Sequence, residues 1–144
     1  LEYDRELDAC LLFVEDLTDG VEEVTISDSA PKEGDKVYNI ASPYGIHYYQ
    51  VVPIFEGRYF GEIEKKAFYS FNAAPGSSGS MILNEKGELI GLLHSVYYKM
   101  YTVVVSVRYG NLIQFLRRGI IKHSTAHMTE EEKYNLYNDR FPKL

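Results

Sequence analysis

The sequence predicts an all-β protein, an antiparallel barrel closed by C-terminal helices. Three observations carry this. Apolar runs of four to ten residues recur at hairpin spacing from residue 36 to residue 108, separated by Gly, Pro, Asn and Ser clusters. The chain holds 13 Tyr with frequent Val and Ile, residues that fit a pleated, half-buried surface. Helical spacing of apolar residues appears only after residue 108, and no strand–helix–strand rhythm, internal repeat or low-complexity segment interrupts the series.

Residues 9–14 (Ala-Cys-Leu-Leu-Phe-Val) form a short continuous apolar run, read as a buried strand. Residues 15–33 are acidic, with Gly20, Pro31 and alternating Val21, Val24 and Ile26, and read as a connector with at most one edge strand. From Gly34 the texture changes. Lys36 to Ala41 reads as a strand stopped by the turn cluster Ser42-Pro43-Tyr44-Gly45. Residues 46–55 and 58–64 read as a hairpin through Glu56-Gly57, and residues 66–71 as another strand. A Gly/Ser loop follows at 74–80. Met81-Ile82-Leu83 is expected to pair with residues 88–93 across Asn84-Glu85-Lys86-Gly87, where Gly87 supplies the positive φ. Residues 101–108 are a strand rich in β-branched residues. Leu112, Ile113, Phe115 and Leu116 then recur at helical spacing, with Arg117 and Arg118 near the end and Gly119 as the stop. A last helix is expected from Thr129, with Glu132 completing a capping box. The expected domain plan is residues 1–15 as the end of a first barrel, 16–33 as connector, 34–119 as a second barrel with its helix, and 120–144 as a tail with a short helix.

Composition narrows the function. The chain has 144 residues, 45% of them apolar, enough for one domain with a real core. Its single Cys10 excludes an internal disulfide and is expected to be a small buried core residue. Net charge is −6 and uneven: residues 1–33 hold 11 acids and 2 bases, the remainder 10 acids and 13 bases. That profile lacks the basic face nucleic-acid binding needs. No apolar stretch reaches membrane-spanning length. No metal site is expected, because the histidines are scattered and the lone Cys has no partner at ligand spacing. No phosphate loop or dinucleotide fingerprint is present, so no cofactor is expected. The tail from Thr129 to Tyr137 reads as a docking helix.

The chemistry-bearing segment is Ala74-Pro75-Gly76-Ser77-Ser78-Gly79-Ser80-Met81, between two apolar strands. A serine hydroxyl is a weak nucleophile that needs a base and donors for the developing oxyanion. Small residues around Ser78 let the backbone turn sharply and aim the N–H groups of Gly76 and Ser78 at one point. Other segments share an order with this one. Leu7-Asp8-Ala9-Cys10-Leu11-Leu12, the stretch from Gly34-Asp35-Lys36-Val37 to Ile40-Ala41-Ser42-Pro43-Tyr44-Gly45, Pro75-Gly76-Ser77-Ser78-Gly79-Ser80 and Asn84-Glu85-Lys86-Gly87-Glu88-Leu89-Ile90-Gly91 resemble, in sequence order, segments of the chymotrypsin-fold (trypsin-like) serine proteases. The HtrA-like and bacterial glutamyl-endopeptidase branches are the nearest in pattern. Val105-Ser106-Val107-Arg108, then Asn111 and a helix, fits the terminal strand and helix, so the resemblance covers about residues 7–118.

The resemblance implies a second barrel of the chymotrypsin-like fold plus the last strand of the first, and hydrolysis of a polypeptide substrate. It implies Ser78 as nucleophile, Asp8 as the carboxylate that orients the base, and the N–H groups of Gly76 and Ser78 as oxyanion hole. His94-Ser95-Val96 would pair with extended substrate by strand addition. Asn72 would lie near the base of the pocket for the residue preceding the cut, favouring neutral or apolar residues over Lys or Arg. The rival reading is an inactive member, a pseudoprotease or peptide-binding module.

Three departures qualify the resemblance. Ser80 and Met81 replace the commoner Gly-Pro. His94 falls one residue later than the histidine with which glutamyl endopeptidases recognise acidic side chains, and one step along a strand reverses side-chain direction. It is therefore expected near Asp8, at the cleft edge or as a core histidine. Most consequentially, the family's base histidine precedes the aspartate, whereas His47, His94, His123 and His127 all follow Asp8. The base is expected from an N-terminal barrel that is cleaved, absent or present as a separate chain. The strand at 9–14 would then pair with another chain, be disordered or be repurposed. A cytosolic, periplasmic or viral setting is compatible with the single Cys.

Overall fold

The computed structural model describes residues 2–12, 14, 20, 22–46, 48, 50–124, 129–132 and 134–135. Two strands, β1 (Glu2–Asp4) and β2 (Ala9–Leu11), form a separate antiparallel ribbon. Six more close into an antiparallel barrel: β3 (Lys36–Ile40), β4 (Ile54–Ile63), β5 (Lys66–Ser70), β6 (Met81–Leu83), β7 (Leu89–Tyr97) and β8 (Met100–Val107). Their spatial order is β3-β4-β5-β8-β7-β6, with β6 returning to β3. Helix α1 (Tyr109–Ser124) follows. The barrel and helix are the all-β architecture that the sequence predicts.

Alternation along the strands builds the core. Val37, Tyr69, Ile82, Ile90 and Val104 are fully buried, with Tyr59, Phe71 and Leu93 packed among them. Burial pushes the Tyr59 hydroxyl up to about 12, with the nearby Glu62 carboxylate adding to the shift. Tyr69 is raised further, mainly by burial. One inward position breaks the apolar alternation of β3: Asn39, which is fully buried.

Three elements differ from the sequence reading. Glu56-Gly57 is no turn, because β4 runs straight through it and Gly57 lies opposite Val37. A Cβ on Gly57 would overlap the Ser70 carbonyl, so this glycine serves close strand approach. The tight turn is instead at Glu64-Lys65, where Glu64 adopts φ 56°. Gly119 does not stop α1. It is buried inside the helix, where a Cβ would come within 2.6 Å of Leu11 Cδ2. The missing side chain makes room for the ribbon, and the helix continues for five residues.

The third difference concerns residues 9–14. The strand is repurposed within its own chain, Tyr3 lying opposite Cys10 and Asp4 opposite Ala9. Only Ala9–Leu11 is strand. Alternation turns Ala9 inward and Cys10 outward, so Cys10 is exposed rather than a core residue. Charge fastens the ribbon to α1. Glu2 pairs with Lys122 at 2.8 Å and Arg118 at 3.6 Å, and Asp4 with Arg118 at 3.1 Å. The Lys122 hydrogen bond holds the Glu2 carboxyl below the usual range, and the Arg118 hydrogen bond does the same for Asp4. Glu6 and Lys65 tie the ribbon to the β4–β5 turn.

Two connections match the sequence reading closely. Ile26 makes a single parallel bridge to Leu89, the edge contact expected of the connector. The Thr129 capping box forms, with the Glu132 carboxylate accepting from the Thr129 N–H at 2.7 Å and the Thr129 hydroxyl accepting from the Glu132 N–H at 3.3 Å. Helical residues follow at 130–132 and 134–135. The end of the proposed docking helix, at residues 136–137, lies outside the described residues, as do Phe13 and Val21.

Candidate active site

The Ser78 loop leaves Phe71 at the end of β5 and returns at β6. Its backbone is knitted to the barrel. The Ser77 N–H donates to the Ala74 carbonyl at 3.0 Å, the Gly79 N–H to the Leu93 carbonyl at 2.7 Å, and the Leu93 N–H to the Ser80 carbonyl at 2.9 Å. On the other flank, the Tyr44 N–H donates to the Pro75 carbonyl at 2.6 Å. Gly76 has φ +97° and Gly79 φ +84°, left-handed backbone that favours glycine. At Gly76 space is short as well, since a Cβ would stand 2.9 Å from the Ser42 carbonyl.

A polar network under the loop fixes it further. The Asn39 Nδ2 donates to Ser80 Oγ and to the Met81 carbonyl, both at 2.8 Å. Ser80 Oγ donates in turn to the Ser77 carbonyl at 2.6 Å. Asn39 was not singled out by the sequence reading. Its signal was there: a polar residue on the inward phase of an otherwise apolar strand. Ser80, which the sequence shows only as a departure from the family's Gly-Pro, is the middle of this network.

With the neighbouring amides engaged, the N–H groups of Gly76 and Ser78 have no acceptor among the described residues. Ser78 is exposed, and its hydroxyl donates to the His94 carbonyl at 3.1 Å. A cavity of about 440 Å³ opens beside it, lined by Ile40, Ala41, Val52, Pro53, Gly76 and Ser78 among others.

His94 lies on β7 where the register with β8 shifts between Leu93 and Ser95. Such a bulge re-aims a side chain. The imidazole is exposed, and its Nε2 lies 3.2 Å from Asp8 Oδ2 while Nδ1 lies 3.0 Å from Ser95 Oγ. Asp8 itself adopts φ 50° at the turn of the ribbon, a conformation Asp tolerates better than most residues. His94 is therefore beside Asp8 and not in the core.

Beyond Leu93 the β6-side edge of β7 has no strand partner among the described residues, while Ser95 and Val96 pair with Val105 and Val104 on the other side. Residues 94–96 thus leave one edge open. Asn72 is exposed, and the adjacent Ala73 N–H is anchored to the Tyr101 carbonyl at 3.1 Å. Among the described residues, no imidazole partners Ser78 Oγ. His123 lies 3.6 Å from Glu2 on the ribbon side, and His47 and His127 lie outside the described residues. No group of three His, Cys, Asp or Glu able to hold a metal occurs among the described residues, and none of their helices is long and apolar enough to cross a membrane.

Ser78, Asp8 and His94 come together although ribbon, loop and β7 are distant in sequence. A family model for the trypsin-like peptidase domain matches residues 1–92, which contain Asp8 and Ser78, reach the middle of β7 and end two residues short of His94. The chain belongs to the trypsin-like peptidase domain family. Solved structures agree on the fold. The active form of the Rv3671c protease from M. tuberculosis superposes with a TM-score of 0.59 at 12% identity, over 67% of this chain and 48% of that one. A mutant of Rv3671c from M. tuberculosis H37Rv in its inactive form gives 0.66 at 14%, over 89% and 65%. The HtrA-type protease AlgW with a decapeptide gives 0.57 at 19%, over 69% and 33%. This chain therefore spans from a third to two thirds of the length of these solved structures. No curated protein matches it.

Proposed function

We propose that this chain is the serine-bearing portion of a trypsin-like endopeptidase that cleaves peptide bonds by a Ser-His-Asp mechanism. The observation that carries this reading is the state of the Ser78 loop. Its amides at Ser77 and Gly79 are engaged within the fold, while those of Gly76 and Ser78 are unspent beside an exposed hydroxyl. Two such amides are what a tetrahedral oxyanion requires. Asp8 is the carboxylate that fixes the tautomer of the base and stabilises its imidazolium. The base histidine comes from polypeptide outside the 144 residues, an N-terminal barrel or a separate chain, because in the resembled family the base precedes the aspartate, and all four histidines of this chain follow Asp8. On its arrival the hydroxyl exchanges the His94 carbonyl for an imidazole nitrogen.

Substrate binds as an added strand on the open edge at His94, Ser95 and Val96. The resemblance assigns Asn72 to the pocket for the residue before the cut. With a neutral amide there, Lys and Arg are disfavoured relative to neutral or apolar side chains.

One observation favours a second reading. The Ser78 hydroxyl is satisfied by a main-chain carbonyl, as it would be in a pseudoprotease that keeps the cleft only to bind peptides. Fluorophosphonate labelling separates the two readings. The chain is tested with and without the polypeptide encoded upstream of it, with Ser78→Ala as control. Labelling that needs the upstream part and is lost in Ser78→Ala supports the protease; no labelling in either form supports the binding module.

A further inference from the structure

The family pattern makes no use of an imidazole at residue 94, and the strand-addition role above uses only its backbone. The side chain has its own geometry. Asp8 Oδ2 is engaged by His94 Nε2 at 3.2 Å, and Asp8 Oδ1 has no partner among the described residues. His94 Nδ1 is engaged by Ser95 Oγ at 3.0 Å. The carboxylate only accepts, so Nε2 carries the proton and Nδ1 accepts from the Ser95 hydroxyl in the neutral ring. No other ion pair involves Asp8 or His94 among the described residues. Ser95, His94 and Asp8 thus form one hydrogen-bonded line from the barrel to the ribbon.

We propose that His94 is a positioning residue. Its Nε2–H ties down one oxygen of Asp8 so that the other faces the incoming base, and Ser95 holds the ring in the orientation this needs. The ribbon is short and joined to the barrel by exposed charges, so without this tie the carboxylate has a wider range of positions. Effective orientation of a base falls steeply with such freedom. The inference rests on the protease reading of Ser78 and Asp8, and it assigns work to a side chain that reading leaves idle. Substitution of His94 leaves the main-chain carbonyl that meets Ser78 in place, so the side chain is separable from the backbone.

The test has two parts. In the first, the chain is joined to the polypeptide that supplies the base, and the rate of fluorophosphonate labelling at Ser78 is measured. His94→Ala is expected to slow it about tenfold, the equivalent of about 1.4 kcal/mol in barrier. His94→Gln, which returns a side-chain N–H near the Nε2 position, is expected within about twofold of the parent. In the second, ring ¹⁵N spectra of the 144-residue chain are expected to show the Nε2–H tautomer of His94, with an Nε2 resonance that shifts when Asp8→Ala removes the acceptor. Parental labelling by His94→Ala overturns the inference, as does an equal loss in the Ala and Gln variants. Should no form label at all, the protease reading fails and the positioning role with it, while a persistent tautomer would mark a structural ion pair only. A failed tautomer with intact Ser78 labelling would overturn the tie alone.

Discussion

The Ser78 loop and the Asp8 ribbon meet at His94, and they are built by different physics. The loop is secured by backbone hydrogen bonds to β7 and by a buried Asn39–Ser80 network. The ribbon is two strands of three residues, held to α1 by packing at Gly119 and by ion pairs to exposed Arg118 and Lys122, to the β4–β5 turn by Glu6–Lys65 and to β7 by one imidazole. Buried, geometrically restricted hydrogen bonds define a position, whereas exposed ion pairs contribute little and are screened by salt. The difference teaches that, on the proposed reading, the nucleophile and its oxyanion donors would come ready-made with the barrel, whereas the carboxylate would depend on what covers the ribbon.

The sharpest way to break the comparison is to attack the barrel itself. Gly57→Ala would drive a Cβ into the Ser70 carbonyl, which is backbone and cannot step aside. Overpacking of this kind costs about 3 kcal/mol or more. Thermal melting should drop by roughly 10 °C for a chain of this size, taking loop and ribbon together. Asn39→Ala is aimed at the loop alone. It leaves the buried Met81 carbonyl without its side-chain donor and frees Ser80 Oγ, at a cost of about 1–3 kcal/mol. Hydrogen exchange should quicken around residues 77–81 more than in β4 and β5.

These two positions also show how far the sequence could be read. The barrel was legible because period-2 alternation and Gly87 follow local rules. Gly57 and Gly119 were misread as turn and stop, because a glycine needed for close approach looks the same in sequence as one needed for a bend. The approach is made by Ser70 and Leu11, far along the chain. Of the candidate site, the proposed roles of Ser78 and Asp8 rest on ordered motifs. The ion pair of Asp8 with His94 was only half legible, as one of three places for the ring, because the bulge that re-aims His94 is a property of β7 pairing with β8. Asn39 was missed because a lone Asn in a strand carries no motif, only a phase. The β1 strand was missed because three residues rich in charge carry no strand pattern, and only its pairing with β2 defines it.

The ribbon should respond to gentler changes. Gly119→Ala puts a methyl group against Leu11. We expect a shift of about 1 kcal/mol or less confined to the ribbon, in line with helix-favouring gain offsetting steric loss. Faster exchange in residues 2–12 with an unchanged barrel melt would show it. The smallest effect is that of acid. The Glu2 and Asp4 carboxyls are held below their ordinary values by Lys122 and Arg118. A lowered carboxyl stabilises the docked form above the free value and loses that contribution as pH falls through the lowered one. Protection of the ribbon amides, corrected for the intrinsic exchange rate, should therefore fall as pH drops below about 4, with the barrel little changed, and added salt should mimic part of the effect at neutral pH.

The central claim is that the Ser78 loop is complete and lacks only a base. Free imidazole supplies that base without any polypeptide. The measurement is the rate of fluorophosphonate labelling of the 144-residue chain across a series of imidazole concentrations at constant pH and ionic strength, with Ser78→Ala alongside. The account predicts a rate that rises in proportion to imidazole and vanishes in Ser78→Ala. A Ser78 that stays unlabelled at every imidazole concentration, in a chain with the parental melt, would contradict it.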